Sequence, residues 1–267
     1  MTRALLIDVT RCTGCRGCQV ACKQWNELPG EKTSVSTSWT NPKELSAYTW
    51  THVDFREVPN AAGGFSWNFV HKRCFHCLEP ACVSACPVGA LQKTEEGPVV
   101  YDASRCIGCR YCMVACPFEI PKFTWDSAQP VIAKCTFCAD RLADGQEPAC
   151  AKSCPTDAIQ FGERDDLIVE AQRRIQATPA RYVNYVYGKD EAGGTSVMYL
   201  SGVPFDRLGF KMDISHEPYP ERTWEALSKI PWEVLGVAAV MSGTWFIIQR
   251  RQKNGAKLNA SRKAAKR

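Results

Sequence analysis

Residues 135–154 read CTFCADRLADGQEPACAKSC. Two cysteines stand two residues apart, eleven residues pass, and two more cysteines close the block. Taken alone, the stretch passes for a zinc site built from separated pairs. Three other blocks change that reading. Cys12, Cys15, Cys18 and Cys22 are spaced C-x2-C-x2-C-x3-C. Cys74, Cys77, Cys82 and Cys86 are spaced C-x2-C-x4-C-x3-C. Cys106, Cys109, Cys112 and Cys116 repeat the first spacing. With Cys135, Cys138, Cys150 and Cys154, these blocks hold all 16 cysteines of the 267-residue chain.

The spacing separates three chemistries. Disulfides need facing Cβ vectors, and such frameworks usually staple chains below about 100 residues. Four near-identical tetrads with two-residue gaps suit them poorly. Zinc takes four thiolates, typically as two separated pairs, yet in blocks one and three the third cysteine follows the second by three residues. A C-x2-C-x2-C run instead winds three thiolates around one iron–sulfide cluster. The cysteine after a further three-residue gap, often followed by Pro, reaches a second cluster. Pro follows Cys86, Cys116 and Cys154, and Lys23 follows Cys22. Sixteen thiolates at four per cluster amount to four 4Fe–4S clusters.

An internal repeat settles what the fourth block is. LIDVTRCTGCRGCQVAC (6–22) aligns with VYDASRCIGCRYCMVAC (100–116), setting Arg11 over Arg105, Gly14 over Gly108 and Arg16 over Arg110. EPACVSACPVGALQ (79–92) aligns with EPACAKSCPTDAIQ (147–160). The fourth block is therefore the second with seven residues inserted after its C-x2-C. The chain reads as a duplication, and the expected fold is α+β with duplicated ferredoxin-like modules. A contact to a partner subunit is the expected role of the insertion. Pairing is open on these grounds. Blocks two and three, 19 residues apart, can share a module and leave one and four to form the other. Pairing one with two and three with four is the competing arrangement.

Composition excludes other classes. The chain is 45% apolar and 23% charged, which is not a disordered composition. Its +5 net charge is uneven, because residues 249–267 hold eight Lys/Arg and no acid, leaving the rest at about −3. A nucleic-acid partner is not expected. No nucleotide loop, catalytic triad or substrate-pocket signature is present, so no catalytic residue is assigned. Arg11, Arg16, Lys23, Lys72, Arg73, Arg105, Arg110, Lys134, Arg141 and Lys152 lie near cysteines. They can offset the negative charge of thiolate-ligated clusters and raise potentials, although a solvated basic surface is the default for each. Gly14, Gly17 and Gly108 sit between ligands, where a missing Cβ lets backbone N–H groups approach sulfides. His76 is expected to be a packed residue rather than a ligand.

Between blocks, ALLIDV (4–9) and PVVYDA (98–103) read as strands. SAYTWTHVDFREV (46–58) and GFSWNFVHK (64–72), joined by PNAAGG, read as a hairpin. RDDLIVEAQRRIQA (164–177) reads as an amphipathic helix, and GGTSVMYLSGVP (193–204) as a turn and strand. IPWEVLGVAAVMSGTWFII (230–248) spans 19 residues with one charge, Glu233. At about 1.5 Å per residue it is roughly 28 Å long, enough to cross a hydrocarbon core. Trp232 and Trp245 suit the interfaces, and Gly236, Ala239 and Gly243 offer a small face for partner helices. The predicted divisions are a four-cluster domain (1–222), a transmembrane helix with its lead-in (223–249) and a basic cytoplasmic tail (250–267). The positive-inside rule then sets the cluster domain across the membrane from the tail. No signal peptide is visible before Cys12, so the expectation is export in the folded state on a partner that carries a signal.

The four-block order, KCTFCADRLADGQEPACAKSCPTDAI, GGTSVMYL and the single C-terminal span closely resemble the iron–sulfur (beta) subunit of membrane-bound respiratory formate dehydrogenase. The blocks alone also fit electron-transfer subunits of molybdopterin oxidoreductases for polysulfide, tetrathionate or dimethyl sulfoxide. A zinc-binding structural protein is the remote alternative. The resemblance implies that blocks one and four share two clusters, and blocks two and three the other two. It implies Cys12, Cys15, Cys18 and Cys154 for one cluster, and Cys22, Cys135, Cys138 and Cys150 for its neighbour. It implies Cys74, Cys77, Cys82 and Cys116 for a third, and Cys86, Cys106, Cys109 and Cys112 for the fourth. It further implies a molybdenum- or tungsten-pterin catalytic subunit, a cytochrome b membrane subunit that reduces quinone, and a place in the inner membrane with the clusters on the periplasmic side. The expected role is electron transfer from formate oxidation to that membrane subunit, with no catalysis by this chain alone.

Overall fold

The computed structural model describes residues 2–34, 38–60, 63–127 and 131–264. Ala61 and Ala62 of the hairpin connection, and residues 265–267 of the basic tail, lie outside the described residues. The chain divides into two units, Met1–Pro220 and Glu221–Arg267.

Strand β1 (Arg3–Asp8) organises the first unit, and only Arg3 of its six residues is exposed. Helix α1 (Gly17–Trp25) begins inside block one. It runs past Cys22 because Lys23, unlike proline, continues a helix. The expected hairpin forms from β2 (His52–Pro59) and β3 (Phe65–Lys72), with Phe55 opposite Phe69. Block two contains the short helix α2 (Ala81–Ser84) and leads into β4 (Leu91–Lys93), which pairs antiparallel with β5 (Val99–Tyr101). Block three contains α3 (Tyr111–Ala115), and the two-residue strands β6 (Lys122–Phe123) and β7 (Ile132–Ala133) pair after it. Block four contains α4 (Ala139–Ala143) and α5 (Ala149–Lys152). It is followed by β8 (Ile159–Glu163), α6 (Arg164–Ala177) and β9 (Val197–Leu200).

The strand order β8–β1–β9 joins the two ends of the unit. β1 lies antiparallel to β8, with Ile7 opposite Ile159, and parallel to β9, with Leu6 opposite Met198. Strand alternation then divides the core. Leu5 and Ile7 face one cluster of side chains that includes Val53, Val70, Phe75, Cys18 and Cys150. Ala4 and Leu6 face the other, closed by Leu167, Ala171 and Ile175 of α6. Those three recur every four residues on one helix face. Cys18, Cys74, Cys135 and Cys150 thus lie on one side of the sheet, and α6 seals the other.

The same succession of strand, capped turn and cysteine block occurs twice. After β1, Asp8 accepts the Thr10 N–H at 3.0 Å and the turn Val9–Arg11 leads to Cys12. After β5, Asp102 accepts the Ser104 N–H at 2.9 Å and the turn Ala103–Arg105 leads to Cys106. Asp8 N–H donates to Ala158 at 2.7 Å, and Asp102 N–H to Ala90 at 2.8 Å. Each bond ties the chain before one block to the chain after another.

Helix α7 (Tyr219–Leu227) leads to α8 (Ile230–Ala264), which contains an apolar stretch, Ile230–Gly255, long enough to span a membrane. Trp232, Val240, Met241 and Trp245 on it are exposed. Pro231 falls in the first turn, where its missing N–H costs no helical bond.

Candidate cluster-binding site

All four blocks open with one backbone device. The residue before the second cysteine takes positive φ in each: Gly14 (69°), His76 (48°), Gly108 (70°) and Phe137 (60°). The turn aims that residue's N–H at the first sulfur. Phe137 donates to Cys135 Sγ at 3.3 Å and Gly108 to Cys106 Sγ at 3.4 Å. The N–H groups of Gly14 and His76 lower the Cys12 and Cys74 thiols against their burial. Glycine adopts this conformation freely, whereas a residue with Cβ gives up about 1–2 kcal/mol. At Gly14 a Cβ would also meet the Phe69 ring at 2.9 Å. The Cys-Pro blocks close alike, for Gly89, Glu119 and Asp157 take positive φ and donate to the carbonyls of Cys86, Cys116 and Cys154.

The thiols gather in fours. Cys12, Cys15, Cys18 and Cys154 line one cavity with Ile7, Val53 and Ile159. Cys22, Cys135, Cys138 and Cys150 line a second with Asn26, Thr51 and Arg73. Cys86, Cys106, Cys109 and Cys112 line a third with Leu91, Tyr101 and Ile132. Cys77 has Cys116, Cys74 and Cys82 as its thiol neighbours. Among the described residues, no three His, Cys, Asp or Glu side chains close on a single metal-ion position. The quartets ring a space instead, which fits a polynuclear cluster with four thiolate ligands and N–H donors to sulfur.

Burial governs the thiols. It pushes Cys82 up to about 12 and Cys112, Cys116 and Cys138 up to about 11. It raises Cys18 and Cys22 as well, and neighbouring thiols add to the effect. Cys86 goes the other way: burial pushes it up, but the N–H groups of Leu91, Val88, Ala90 and Gly89 outweigh that and lower it. Ligands must be deprotonated, so iron displaces protons from such sites.

The flanking cations divide. Arg105, Arg110 and Lys152 are exposed, as a solvated surface requires, whereas Arg73 and Lys134 are 2% and 4% exposed. His76 is a packed residue: its Nδ1 accepts the Val99 N–H at 2.9 Å and its ring meets Phe137 at 4.9 Å. The inserted stretch seats on its own chain. Trp25 Nε1 donates to Asp140 at 2.7 Å, and Arg141 stacks 4.3 Å from the Trp25 ring. The turn residues His76 and Phe137 escaped the sequence reading because only glycine signals positive φ openly.

Two matches to the 4Fe-4S dicluster domain cover residues 11–90 and 65–164. The chain is therefore an iron–sulfur protein of the dicluster type. It is 44% identical to a protein of Nitratidesulfovibrio vulgaris over 96% of this chain and 69% of the relative. The Escherichia coli formate dehydrogenase-O iron-sulfur subunit is 37% identical over 91% of this chain and 81% of its own. The nitrate-inducible formate dehydrogenase iron-sulfur subunit of Escherichia coli is 41% identical over 74% and 67%. The chain belongs to the family of formate dehydrogenase iron–sulfur subunits, which are electron-transfer subunits rather than catalysts. The Hydrogenase-2 operon protein HybA of Escherichia coli O157:H7 is also similar, at 33% identity over 94% and 85%.

Proposed function

We propose that this subunit holds four 4Fe–4S clusters in a row and joins a formate-oxidising pterin subunit to a cytochrome b subunit that reduces quinone. The observation that carries the row is which thiols from different quartets act on one another. Cys18 neighbours Cys150, Cys74 neighbours Cys135, and Cys82 neighbours Cys112. These electrostatic neighbours link the Cys12/15/18/154 quartet to Cys22/135/138/150, then to Cys74/77/82/116, then to Cys86/106/109/112. That grouping supports two duplicated ferredoxin-like modules, blocks one with four and two with three. The bound clusters supply one-electron redox chemistry. The chain's part is to grip iron, keep water out with the residues packed around each quartet, and direct N–H groups at sulfur.

Formate is the preferred electron source because identity to the formate dehydrogenase subunits exceeds that to the hydrogenase-operon protein. The apolar stretch of α8 and the basic residues from Arg250 onward support a single span with the tail cytoplasmic and the clusters periplasmic. A reporter fused after Arg267 should read cytoplasmic; a periplasmic reading refutes that topology.

Cys18→Ala in the intact complex tests the row. Formate-dependent dye reduction at the catalytic partner should persist while quinone reduction falls to background, and total iron should drop from about sixteen per chain. Undiminished quinone reduction would sink the proposal.

A further inference from the structure

Arg73 is buried, and among the described residues no carboxylate pairs with it. One Nη donates to Cys150 Sγ and the other to Cys135 Sγ, both at 2.9 Å. Among the described residues its Nε has no partner, and its guanidinium carbon lies 5.4 Å from the centre of the Phe137 ring. The groups that act most on its charge are Cys135, Cys150, Tyr199 and Cys22, with no carboxylate among them. A buried cation without a counter-charge is strongly unfavourable. A thiolate-ligated cluster in the cavity that Arg73 lines with those cysteines provides that counter-charge.

The sequence position makes this unexpected. Arg73 immediately precedes Cys74, which belongs to a different quartet. Its counterpart in the repeat is Lys134, which immediately precedes Cys135. Lys134 Nζ donates to the Cys135 carbonyl at 3.1 Å and to that of Val99. The residues that follow also meet, for His76 and Phe137 are repeat counterparts with their rings 4.9 Å apart. The two repeat halves therefore carry a pair of buried cations, and the turn residues that follow them meet.

We propose that Arg73 tunes the cluster of the opposite module: its two Nη groups clamp the Cys135 and Cys150 sulfurs and raise the reduction potential of that cluster rather than of the one ligated by Cys74. Reduction adds one negative charge to the cluster, and a buried cation bonded to its ligands favours the reduced state. This rests on the ligand grouping proposed above.

The test is a redox titration by electron paramagnetic resonance on the purified full complex, with iron content measured for every variant. Cys138→Ser and Cys77→Ser mark the two inner clusters by altering or removing one signal each. Arg73→Gln should lower the reduced-to-oxidised ratio of the Cys138-marked cluster at least tenfold at fixed potential, about 59 mV for one electron. The Cys77-marked cluster should move less. Arg73→Lys keeps the charge but loses the fork, so it should recover part of the drop. The proposal is overturned if Arg73→Gln with full iron leaves the Cys138-marked midpoint unchanged, or moves the other cluster more. Where Arg73→Gln loses iron, an unchanged midpoint in Arg73→Lys overturns it equally. If both serine variants disturb one and the same cluster, the ligand grouping fails instead, and the proposal fails with it.

Discussion

Asp8 and Asp102 make the same turn in two different settings. Each follows a strand, caps the next N–H but one and leads to the first cysteine of a block. Asp102 is exposed, and its partners are Ser104 and the half-exposed Arg105. Asp8 is fully buried. Besides Thr10 it accepts from Arg174 Nη1 at 3.0 Å and from the Tyr182 hydroxyl at 2.8 Å. Arg174 in turn donates to Glu170 at 2.7 Å and to Gln160 at 2.6 Å. One copy of the motif is thus a free-standing turn on the two-stranded β4–β5 sheet. The other is fastened into a three-stranded sheet with a helix behind it. The repeat transmits local geometry, and the surroundings decide how much depends on it.

The largest expected effect is on Leu6→Ala, in the strand that ends at Asp8. Leu6 is fully buried against α6, away from the thiols, so the change should cost about 2–5 kcal/mol through cavity formation. Cluster spectra at low temperature should stay as in the wild type. Altered spectra with an unshifted midpoint would contradict the division of the sheet into a helix face and a cluster face.

Asp8→Ala breaks the difference between the two turns and comes next. It removes one of the two carboxylates paired with the half-buried Arg174 and unpartners the Tyr182 hydroxyl and the Thr10 N–H, so it should remove about 1–3 kcal/mol, whereas Asp102→Ala should be close to neutral. Thermal unfolding of the two variants side by side measures this. Equal losses would abolish the distinction.

The smallest effect is on pH dependence. Glu170 is held at about 2 by hydrogen bonds from Arg173 first and Arg174 next, against an ordinary value of 4.5. Its folded pKa is depressed, so its stabilisation is present above pH 4.5 and is lost as pH falls toward about 2. Glu170→Gln should flatten that part of the acid limb only. An unchanged slope would show that the Arg174 network does not depend on Glu170.

Much of the first unit was legible. The apolar run ALLIDV predicts β1, the hairpin forms although its first strand begins at His52 rather than at 46, and the apolar spacing of 164–177 matches the limits of α6. Cys-Pro marks where α2, α3 and α5 stop, and Lys23 where α1 runs on. What escaped has a common cause. His76 and Phe137 adopt a glycine conformation because the surrounding turn imposes it, and their side chains carry no sign of it. Arg73 and Lys134 look like any other cations beside cysteines. Only packing buries these two and leaves Arg110 in water. The inserted residues carry no marker of the Trp25 contact that seats them.

Spacing by itself determined the chemistry of the cysteine blocks, because a thiolate's reach along a short segment is set by covalent geometry. The internal repeat determined that CTFCADRLADGQEPACAKSC is a lengthened copy of block two, and Phe137 shares the backbone turn of the other three blocks. Which thiols meet was left to the tertiary structure. β1 between β8 and β9 draws Cys12 and Cys154 to one cavity across more than half the chain. Local sequence cannot encode such a contact, since it depends on which strands pair and which faces they bury. The reach of Arg73 across to Cys135 and Cys150 belongs to the same level, a product of two halves closing on each other.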